Sequence, residues 1–401
     1  MRDVILASYL RTAQSRSRPN DPARDVFCKM RSDDLLAALL KPTLEHVGVK
    51  PNEVDDLIVG CAQGVSEQWT QGGRTPLLLA NLDQKTAAKF IDQQCGSTIA
   101  AAHIAFMEIA TGAADIVLCG GMEHMTRVPM GGDGAIDLNL RFFSDPPLAH
   151  WDMMTAGNMG LTAEKLADVG GLTREQMDAW GVRSHQLAHQ AQTDGFFKGE
   201  ILPIEAKQAD GSTLLVETDQ SIRANAKMED MAQLRTPFRE NGKITVGTSS
   251  PLNAGACALL FMAKETAEAK GVKAIAKVRS IGFAGVEPNL MGKGPVPATR
   301  KALKAAGLEA SDIDLWEINE AFAAVPLYAI DELGIDPEKV NVKGGGIAIG
   351  HPLGASGGRI LGTLARIMEE RDAHLGCATM CCGGGQGVSI IIEREASSSE
   401  D

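Results

Sequence analysis

The sequence predicts an α/β protein in which helices pack on β-sheets. Short runs rich in valine and isoleucine alternate with longer segments of helical period, and this alternation is typical of sheets covered by helices. Two segments, 95–121 and 354–385, each pass from a small-residue turn through an apolar helix into a strand that ends in glycines. Their shared plan predicts two related halves that face each other.

The strands are predicted where short β-branched runs end at turn residues, and the helices where apolar residues recur at helical spacing. The predicted strands are 3–9, 56–61, 115–119, 274–281, 315–318, 376–381 and 388–393. The predicted helices are 33–46, 98–111, 174–193, 257–270, 298–306, 320–333 and 356–371. The less regular stretch 125–248 is typical of an insertion that covers a substrate, and we expect the tail 396–401 to be disordered.

Composition excludes several classes of protein. With 401 residues, 44% of them hydrophobic, we expect two or three packed units. The 43 glycines and 8 cysteines indicate a glycine-rich enzyme with reactive thiols and not a disulfide-stapled secreted module. A net charge of -12 argues against a nucleic-acid groove, although a local basic patch could bind a small anionic ligand.

The first residues carry Asp3 inside an apolar run and lack a small-residue cleavage site, so we expect no secretory signal. Arg11, Arg16 and Arg18 leave an organelle-targeting interpretation open. No apolar stretch approaches the roughly 20 residues that a membrane-spanning helix needs. We therefore expect a cytoplasmic protein with reduced thiols and no membrane span.

Cys95 is the first candidate for chemistry. It directly precedes a predicted helix of small residues, where unpaired backbone N–H groups and the helix dipole favour a thiolate. That position is typical of a nucleophilic cysteine. The alternative is a buried cysteine packed between a strand and a helix, which is the usual fate of a free cysteine.

Two more polar residues stand at chain turns. His351 lies in a glycine-rich loop, GGGIAIGHPLGASGG, where the backbone can approach a ligand closely. It could polarise a carbonyl or assist a thiol, or it could be a hydrogen-bonded turn histidine. Asn319 stands between a predicted strand and a predicted helix, where an asparagine usually caps the helix; it could instead hold a water molecule that faces the site.

A strand near the C-terminus ends in two cysteines and three glycines. Either Cys381 or Cys382 could be a second functional thiol, and the glycine N–H groups could bind a developing oxyanion. A zinc site with His374 and Cys377 is the alternative. The stretch has no C-x-x-C pair and its ligands would lie along one strand, so we predict no metal.

Four motifs together resemble the active-site motifs of the thiolase family, in order and in spacing: CGS at 95–97, NEAF at 319–322, GHP at 350–352 and C-x-GGG at 381–385. Further matches at 120–125, 159–164, 246–256 and 294–298 extend the resemblance over nearly the full chain. The chain looks most similar to the degradative 3-ketoacyl-CoA thiolases, also called acetyl-CoA acyltransferases.

The resemblance implies a five-layered αβαβα thiolase fold made of two similar halves with an inserted loop domain. The implied first half is 1–124 with 250–271, the loop domain is 125–249 and the second half is 272–401. It also implies a homodimer or a homotetramer, and leaves open a hydratase/dehydrogenase partner in fatty acid β-oxidation. Coenzyme A is then a co-substrate, and no cofactor is tightly bound.

The resemblance implies a role for each motif residue. Cys95 attacks the 3-keto carbonyl and becomes acylated, and Cys381 is the general acid and base. His351 and a water held by Asn319 stabilise the enolate of acetyl-CoA. The backbone N–H groups of Cys95 and Gly383 bind the oxyanion of the second, CoA-dependent step.

The resemblance also implies four residues that contact the substrate. Arg223 matches the family position beside the adenine of CoA, although a surface ion pair is the alternative for this residue. Ser250 matches the position that bonds the pantetheine arm. Met159 and Phe322 resemble the apolar walls near the reacting acyl group.

The sequence departs from the family pattern in three places. Residues 92–94 read DQQ where the family often has Asn-Arg, the stretch 13–27 replaces a glycine-rich turn, and Asn158 stands where biosynthetic enzymes usually carry a histidine. Asn158 weakens an assignment as an acetoacetyl-CoA thiolase (acetyl-CoA C-acetyltransferase), which is the nearest alternative. The more distant rivals are a condensing ketosynthase and an acyl-CoA binding protein without catalysis.

Overall fold

The computed structural model describes residues 1–131 and 138–394, so the predicted disordered tail 396–401 lies outside the described residues. The strands are β1 (Val4–Arg11), β2 (Ser15–Arg16), β3 (Asp56–Gly60), β4 (Ala87–Ile91), β5 (Ile116–His124), β6 (Ile204–Lys207), β7 (Thr213–Val216), β8 (Asn253–Ala263), β9 (Ala276–Gly285), β10 (Leu315–Ile318), β11 (Leu375–Cys382) and β12 (Gln386–Glu393).

The helices are α1 (Ser32–Glu45), α2 (Arg74–Leu79), α3 (Ser97–Thr111), α4 (Arg141–Ser144), α5 (Met153–Ala156), α6 (Met159–Val169), α7 (Arg174–Thr193), α8 (Met228–Ala232), α9 (Lys264–Lys270), α10 (Pro295–Ala306), α11 (Ala324–Leu333) and α12 (Leu353–Glu370). Glycines end several of them: Gly112, for example, closes α3 in the left-handed conformation with φ 80°, which glycine adopts without strain.

Two strand sets with the same pairing plan confirm the predicted halves. In the first, β4, β3 and β5 run parallel and β8 and β1 follow antiparallel. In the second, β10 and β11 run parallel and β12 and β9 follow antiparallel, and Val340 bridges to Trp316 in the place that β4 holds in the first set. The sets meet where Ile5 and Leu6 of β1 pair with β9.

Five layers result from the way the helices cover these strands. Helices α3 and α12 pack against each other between the two strand sets, α1 covers the other face of the first set, and α10 covers the other face of the second. The middle layer is close-packed because α12 is rich in glycine: a Cβ atom at Gly357 would lie 3.0 Å from the backbone nitrogen of Ile99. This arrangement confirms the αβαβα fold.

One predicted element is wrong. Residues 257–263 form the end of strand β8 and not the start of a helix, because α9 begins only at Lys264. Strand β8 lies between β1 and β5 and is buried along its whole length. A strand buried on both faces is continuously apolar, and periodicity alone does not distinguish it from a buried helix. Strand β4 carries no strong apolar alternation, and the sequence did not predict it.

The insertion between β5 and β8 contains α4 to α8 and the β6–β7 hairpin. A buried ion-pair network fastens it to the core: Arg11 at the end of β1 lies 2.7 Å from a carboxylate oxygen of Asp219 and 2.7 Å from one of Glu200. The bounds 125–249 of the loop domain stay a prediction. Across the described ranges, none of the helices combines the length and apolarity that crossing a bilayer requires.

Candidate active site

Cys95 lies in the turn before α3, where Gln94 has a positive φ of 51° and Gly96 is the helix N-cap. Burial raises the pKa of the Cys95 thiol to about 12. The backbone N–H groups of Gly383 and of Cys95 itself act in the opposite direction, and the Glu123 charge adds to the increase. The sequence predicted that the helix N-terminus favours a thiolate, but burial outweighs that effect, so the resting group is a thiol that needs a base.

Cys381 and Cys382 point to opposite faces of β11, as neighbours on a strand do. Cys382 packs on the start of α3, where a Cβ atom at Gly96 would lie 2.6 Å from its Sγ. Cys381 belongs to the apolar cluster that contains Phe322. Burial, reinforced by the neighbouring Cys95, raises the pKa of Cys381 well above its usual range, so this thiol also rests protonated.

The structure brings His351 and Asn319 together, with Nδ2 of Asn319 3.4 Å from Nε2 of His351. On the other side of the ring, Nδ1 lies 2.6 Å from Oγ of Ser356, and this hydroxyl donates its proton to the carbonyl oxygen of Pro352 at 2.8 Å. Because a hydroxyl has one proton, Nδ1 must be the protonated nitrogen and Nε2 presents a lone pair. Burial, and then the charge of Arg359, lower the pKa of His351 to about 3.

The side chain of Asn253 holds the loop that carries His351 through a backbone hydrogen bond. The N–H of His351 donates to Oδ1 of Asn253 at 2.8 Å, and Nδ2 of Asn253 donates to the carbonyl oxygen of Ser15 at 2.6 Å. Gly350 has a φ of +124°, and a Cβ atom there would lie 2.6 Å from Asn253 and from Gln14. Only glycine allows this approach.

Asn319 does not cap a helix, because α11 begins five residues later, at Ala324. Its neighbour Glu320, which the sequence did not single out, is fully buried. The Glu320 carboxylate accepts hydrogen bonds from Nε1 of Trp180 (2.9 Å), Oγ of Ser184 (2.6 Å), Nδ2 of Asn341 (2.9 Å) and N of Ile347 (3.1 Å). Glu320 thus joins helix α7 to the chain segments that carry Asn319 and His351.

A second buried carboxylate, Glu123, stands near Cys95. Burial raises its pKa. It accepts hydrogen bonds from N of Ala62 (2.9 Å), N of Gly354 (3.0 Å), Nε2 of Gln68 (2.6 Å) and Sγ of Cys61 (3.5 Å). Glu123 therefore fastens the start of α12, just after His351, to the first half. The family match at 120–125 includes Glu123, but its role follows only from hydrogen bonds to residues that lie far from it in the sequence.

The predicted substrate residues fall in two places. The ring of Phe322 packs edge to face on that of Phe238, with centroids 6.2 Å apart, and Met159 packs against the same cluster. The sequence did not predict Phe238. Ser250 is nearby, since its backbone N–H donates to the carbonyl oxygen of Ala321 at 2.9 Å.

Arg223 lies apart, on the surface beside α7. Its backbone N–H donates to Nδ1 of His185 at 3.2 Å, and its side chain forms no ion pair with any residue in 1–131 or 138–394. The alternative of a surface ion pair is therefore not supported. Within the same ranges, no three histidine, cysteine or carboxylate side chains are grouped so that they could hold a metal ion.

The arrangement suits acyl-transfer chemistry on a thioester. It offers a buried thiol with two backbone N–H groups beside it, a second thiol close by, and a neutral imidazole whose Nε2 can accept a proton. A thiol attacks a carbonyl efficiently only after its proton has been removed. Backbone N–H groups can then stabilise the oxyanion that forms.

Comparisons with known proteins agree with this chemistry. Family models match residues 13–265 as the thiolase N-terminal domain and residues 272–394 as the thiolase C-terminal domain. The chain is 44% identical to a 3-ketoacyl-CoA thiolase of Marinobacter nauticus, covering 98% of both chains, and 44% identical to one of Aliivibrio fischeri, covering 98% of this chain and 100% of the relative.

Solved structures give the same result. Human mitochondrial 3-ketoacyl-CoA thiolase superposes with a TM-score of 0.87 at 31% identity, and the Bacillus anthracis acetyl-CoA acetyltransferase with a TM-score of 0.85 at 33% identity. Both alignments cover 98% of this chain and 99% of the other. The chain belongs to the thiolase family.

Proposed function

We propose that this chain is a 3-ketoacyl-CoA thiolase, which uses CoA to cleave a 3-ketoacyl-CoA into acetyl-CoA and a shortened acyl-CoA. The observation that carries the proposal is the set of groups around Cys95: its thiol beside the N–H of Gly383 and the thiol of Cys381. The names of the curated relatives support the same activity. A protein that only binds acyl-CoA does not need two adjacent thiols.

In the first half-reaction, Nε2 of His351 takes the proton of Cys95, and the thiolate attacks the 3-keto carbonyl. The carbon–carbon bond breaks, the acyl group stays on Cys95, and the enolate of acetyl-CoA leaves. The Nε2–H of His351 and a water held by Asn319 stabilise the enolate oxygen. Oδ1 of Asn319, which is buried without a partner among the described residues, supports such a water. Cys381 donates a proton to the enolate carbon.

In the second half-reaction, Cys381 removes the proton of the CoA thiol, and the CoA sulfur attacks the acyl group on Cys95. The tetrahedral oxyanion accepts hydrogen bonds from the N–H groups of Cys95 and Gly383. The acyl group leaves as acyl-CoA, and the departing Cys95 thiolate takes back the proton from Nε2 of His351, which restores the thiol and the neutral imidazole. This second step exchanges one thioester for another, so it conserves the energy of the acyl bond.

Substrate contacts follow from the same proposal. Met159, Phe322 and Phe238 line the acyl group, Ser250 bonds the pantetheine arm and Arg223 lies beside the adenine. Asn158 caps helix α6 through a hydrogen bond to the N–H of Leu161 at 3.2 Å. An asparagine there supports the degradative branch, while the likeness to the Bacillus anthracis acetyltransferase makes acetoacetyl-CoA the alternative substrate.

We also propose a homodimer, or a homotetramer built from two such dimers, that acts in fatty acid β-oxidation in the cytoplasm, with CoA as co-substrate and no tightly bound cofactor. Strand β4 supports the dimer, because it ends the sheet and its outer edge has no strand partner among the described residues. Such edges pair with a second chain unless they are protected. A hydratase/dehydrogenase could be a further partner.

The test is CoA-dependent loss of the enolate absorbance of 3-ketoacyl-CoA, measured with a four-carbon substrate and with longer ones. We expect turnover of the longer chains and a Cys95 acyl adduct by mass spectrometry. Activity confined to acetoacetyl-CoA would move the chain to the acetyltransferase branch. No turnover and no adduct would indicate a protein that binds acyl-CoA without catalysis.

A further inference from the structure

The stretch 13–27, which departs from the family pattern, runs beside the segment that carries Arg223. The N–H of Gln14 donates to Oδ1 of Asp219 at 2.8 Å, and the N–H of Gln220 donates to the carbonyl oxygen of Gln14 at 3.0 Å. Nδ2 of Asn253 lies 2.6 Å from the carbonyl oxygen of Ser15 and 3.4 Å from Oγ of Ser221. Residues 14–16 and 219–223 are therefore neighbours.

The contact between residues 14–16 and 219–223 brings positively charged side chains near one another. Arg16 ends strand β2 and is partly buried. Burial, and then the charges of Arg18, Arg223 and Arg24, lower the pKa of Arg16. Neighbouring groups of like charge repel each other. A group of four arginines is notable in a chain whose net charge is -12.

The carboxylates nearby already have partners. Asp219 is bound by both terminal nitrogens of Arg11. Asp25 is buried and accepts hydrogen bonds from Thr126 and from the N–H of Phe27. Arg24 is paired with Asp21 at 3.9 Å, whereas neither Arg16 nor Arg18 has an ion-pair partner within the described residues. This positive charge is left for an anion from outside the chain.

Arg16 is a neighbour of the chain segments at both ends of the proposed CoA site. Asn253, which pairs with Arg16 across β2 and β8, also holds the backbone of His351. Arg223 marks the proposed adenine end. Arg16 is thus linked through Asn253 to the His351 loop and lies beside the segment that carries Arg223.

We propose that Arg16 and Arg18, with Arg223, form the subsite that binds the phosphate groups of CoA. The inference rests on the proposed function, because it assumes that CoA is the co-substrate. The planar guanidinium group presents paired N–H donors that match two phosphate oxygens at once. CoA carries a 3′-phosphate and a pyrophosphate in its nucleotide part, whereas pantetheine carries none.

The experiment compares CoA, dephospho-CoA and pantetheine as acyl acceptors for the wild type, Arg16→Gln and Arg18→Gln. Loss of a charge-assisted hydrogen bond should raise the ratio of KM for CoA to KM for pantetheine about tenfold in each variant. If the arginines bind the 3′-phosphate, the KM for dephospho-CoA should not follow that increase. If the arginines bind the pyrophosphate, the KM for dephospho-CoA should rise together with the KM for CoA.

Arg300→Gln is the matched control, because Arg300 is an exposed arginine on α10 whose partner is Glu332; its KM ratio should equal that of the wild type. A ratio that stays at the wild-type value in both test variants overturns the subsite. If Arg16→Gln does not fold because Arg16 is partly buried, Arg18→Gln still tests the subsite. If the wild type itself has no turnover, the proposed function fails, and calorimetric affinities for CoA and pantetheine decide the subsite alone.

Discussion

The Oγ atom of Ser184 lies 2.6 Å from Oε2 of Glu320 and also accepts the backbone N–H of Gly345 at 3.1 Å. Through this one hydroxyl, helix α7 holds both the residue after Asn319 and the glycine-rich loop before His351. Trp180, one helical turn earlier, donates to the other carboxylate oxygen of Glu320. Helix α7 of the insertion therefore supports the segments that carry Asn319 and His351 directly.

Ser184→Ala should lower the free energy of unfolding by about 1 to 3 kcal/mol, because it leaves the N–H of Gly345 without its buried partner. It should lower kcat as well, since the loop before His351 loses a support. Urea titration and steady-state kinetics measure the two effects. Thr193→Ala, which removes a hydroxyl from the exposed end of the same helix, is the control. Equal losses in both variants would contradict the role of Ser184.

Ser356→Ala should reduce kcat about tenfold, because the hydrogen bond that keeps the proton on Nδ1 of His351 is lost. The rate of Cys95 acylation, followed by rapid-quench mass spectrometry, should fall with it. Ser356→Thr keeps the hydroxyl and should recover most of the rate. An unchanged acylation rate in Ser356→Ala would show that the tautomer is fixed by another group.

Cys381→Ala should still allow acylation of Cys95 but should lose Claisen condensation of acetyl-CoA, which needs the second thiol as base. Cys382→Ala should retain condensation, because its side chain faces the start of α3. Removing the buried sulfur should cost roughly 1 kcal/mol in unfolding free energy. If only Cys382→Ala loses condensation, the base is Cys382 and not Cys381.

Alkylation of Cys95 by iodoacetamide should accelerate with pH beyond the ordinary thiol value of 9.0, because the pKa of Cys95 is raised to about 12. Only the thiolate reacts, so the rate follows its fraction. Mass spectrometry of the modified peptide gives the rate, and Cys95→Ala identifies the site. Glu123→Gln removes a neighbouring negative charge and should shift the profile to lower pH. A plateau near pH 9.0 in the wild type would contradict the raised pKa.

Acid should destabilise the fold partly through His185, whose pKa is lowered from 6.5 to about 4, first by burial and then by Arg223. A lowered pKa means that the folded state disfavours the proton. The stabilisation is therefore complete above pH 6.5 and is lost as the pH falls through about 4. His185→Asn keeps an acceptor for Arg223 without titrating, so its unfolding free energy should fall less steeply below pH 6.5. Identical slopes would assign the acid sensitivity to other groups.

Local signals were enough to predict much of the molecule. The helix before which Cys95 stands, the glycine-rich loop of His351 and the duplicated plan each depend on residues close together in sequence. Strand β8 was predicted wrongly because a strand buried on both faces loses its alternation. Glu320, Glu123 and Phe238 escaped prediction because their partners lie far away in the chain, and nothing near them in sequence indicates those contacts.

The equal plans of the two halves place the residues of the site at matching positions. Cys95 and His351 each stand two residues before the helix of the middle layer, Asn319 directly follows β10 as Cys61 follows β3, and Cys381 is the penultimate residue of β11 as Glu123 is of β5. Matching positions thus carry different chemistry. The second half supplies an imidazole, an amide and a thiol, while the first supplies the Cys95 thiol and uses Cys61 and Glu123 in internal hydrogen bonds. Different residues at matching positions give a site without symmetry inside a frame that repeats the same plan.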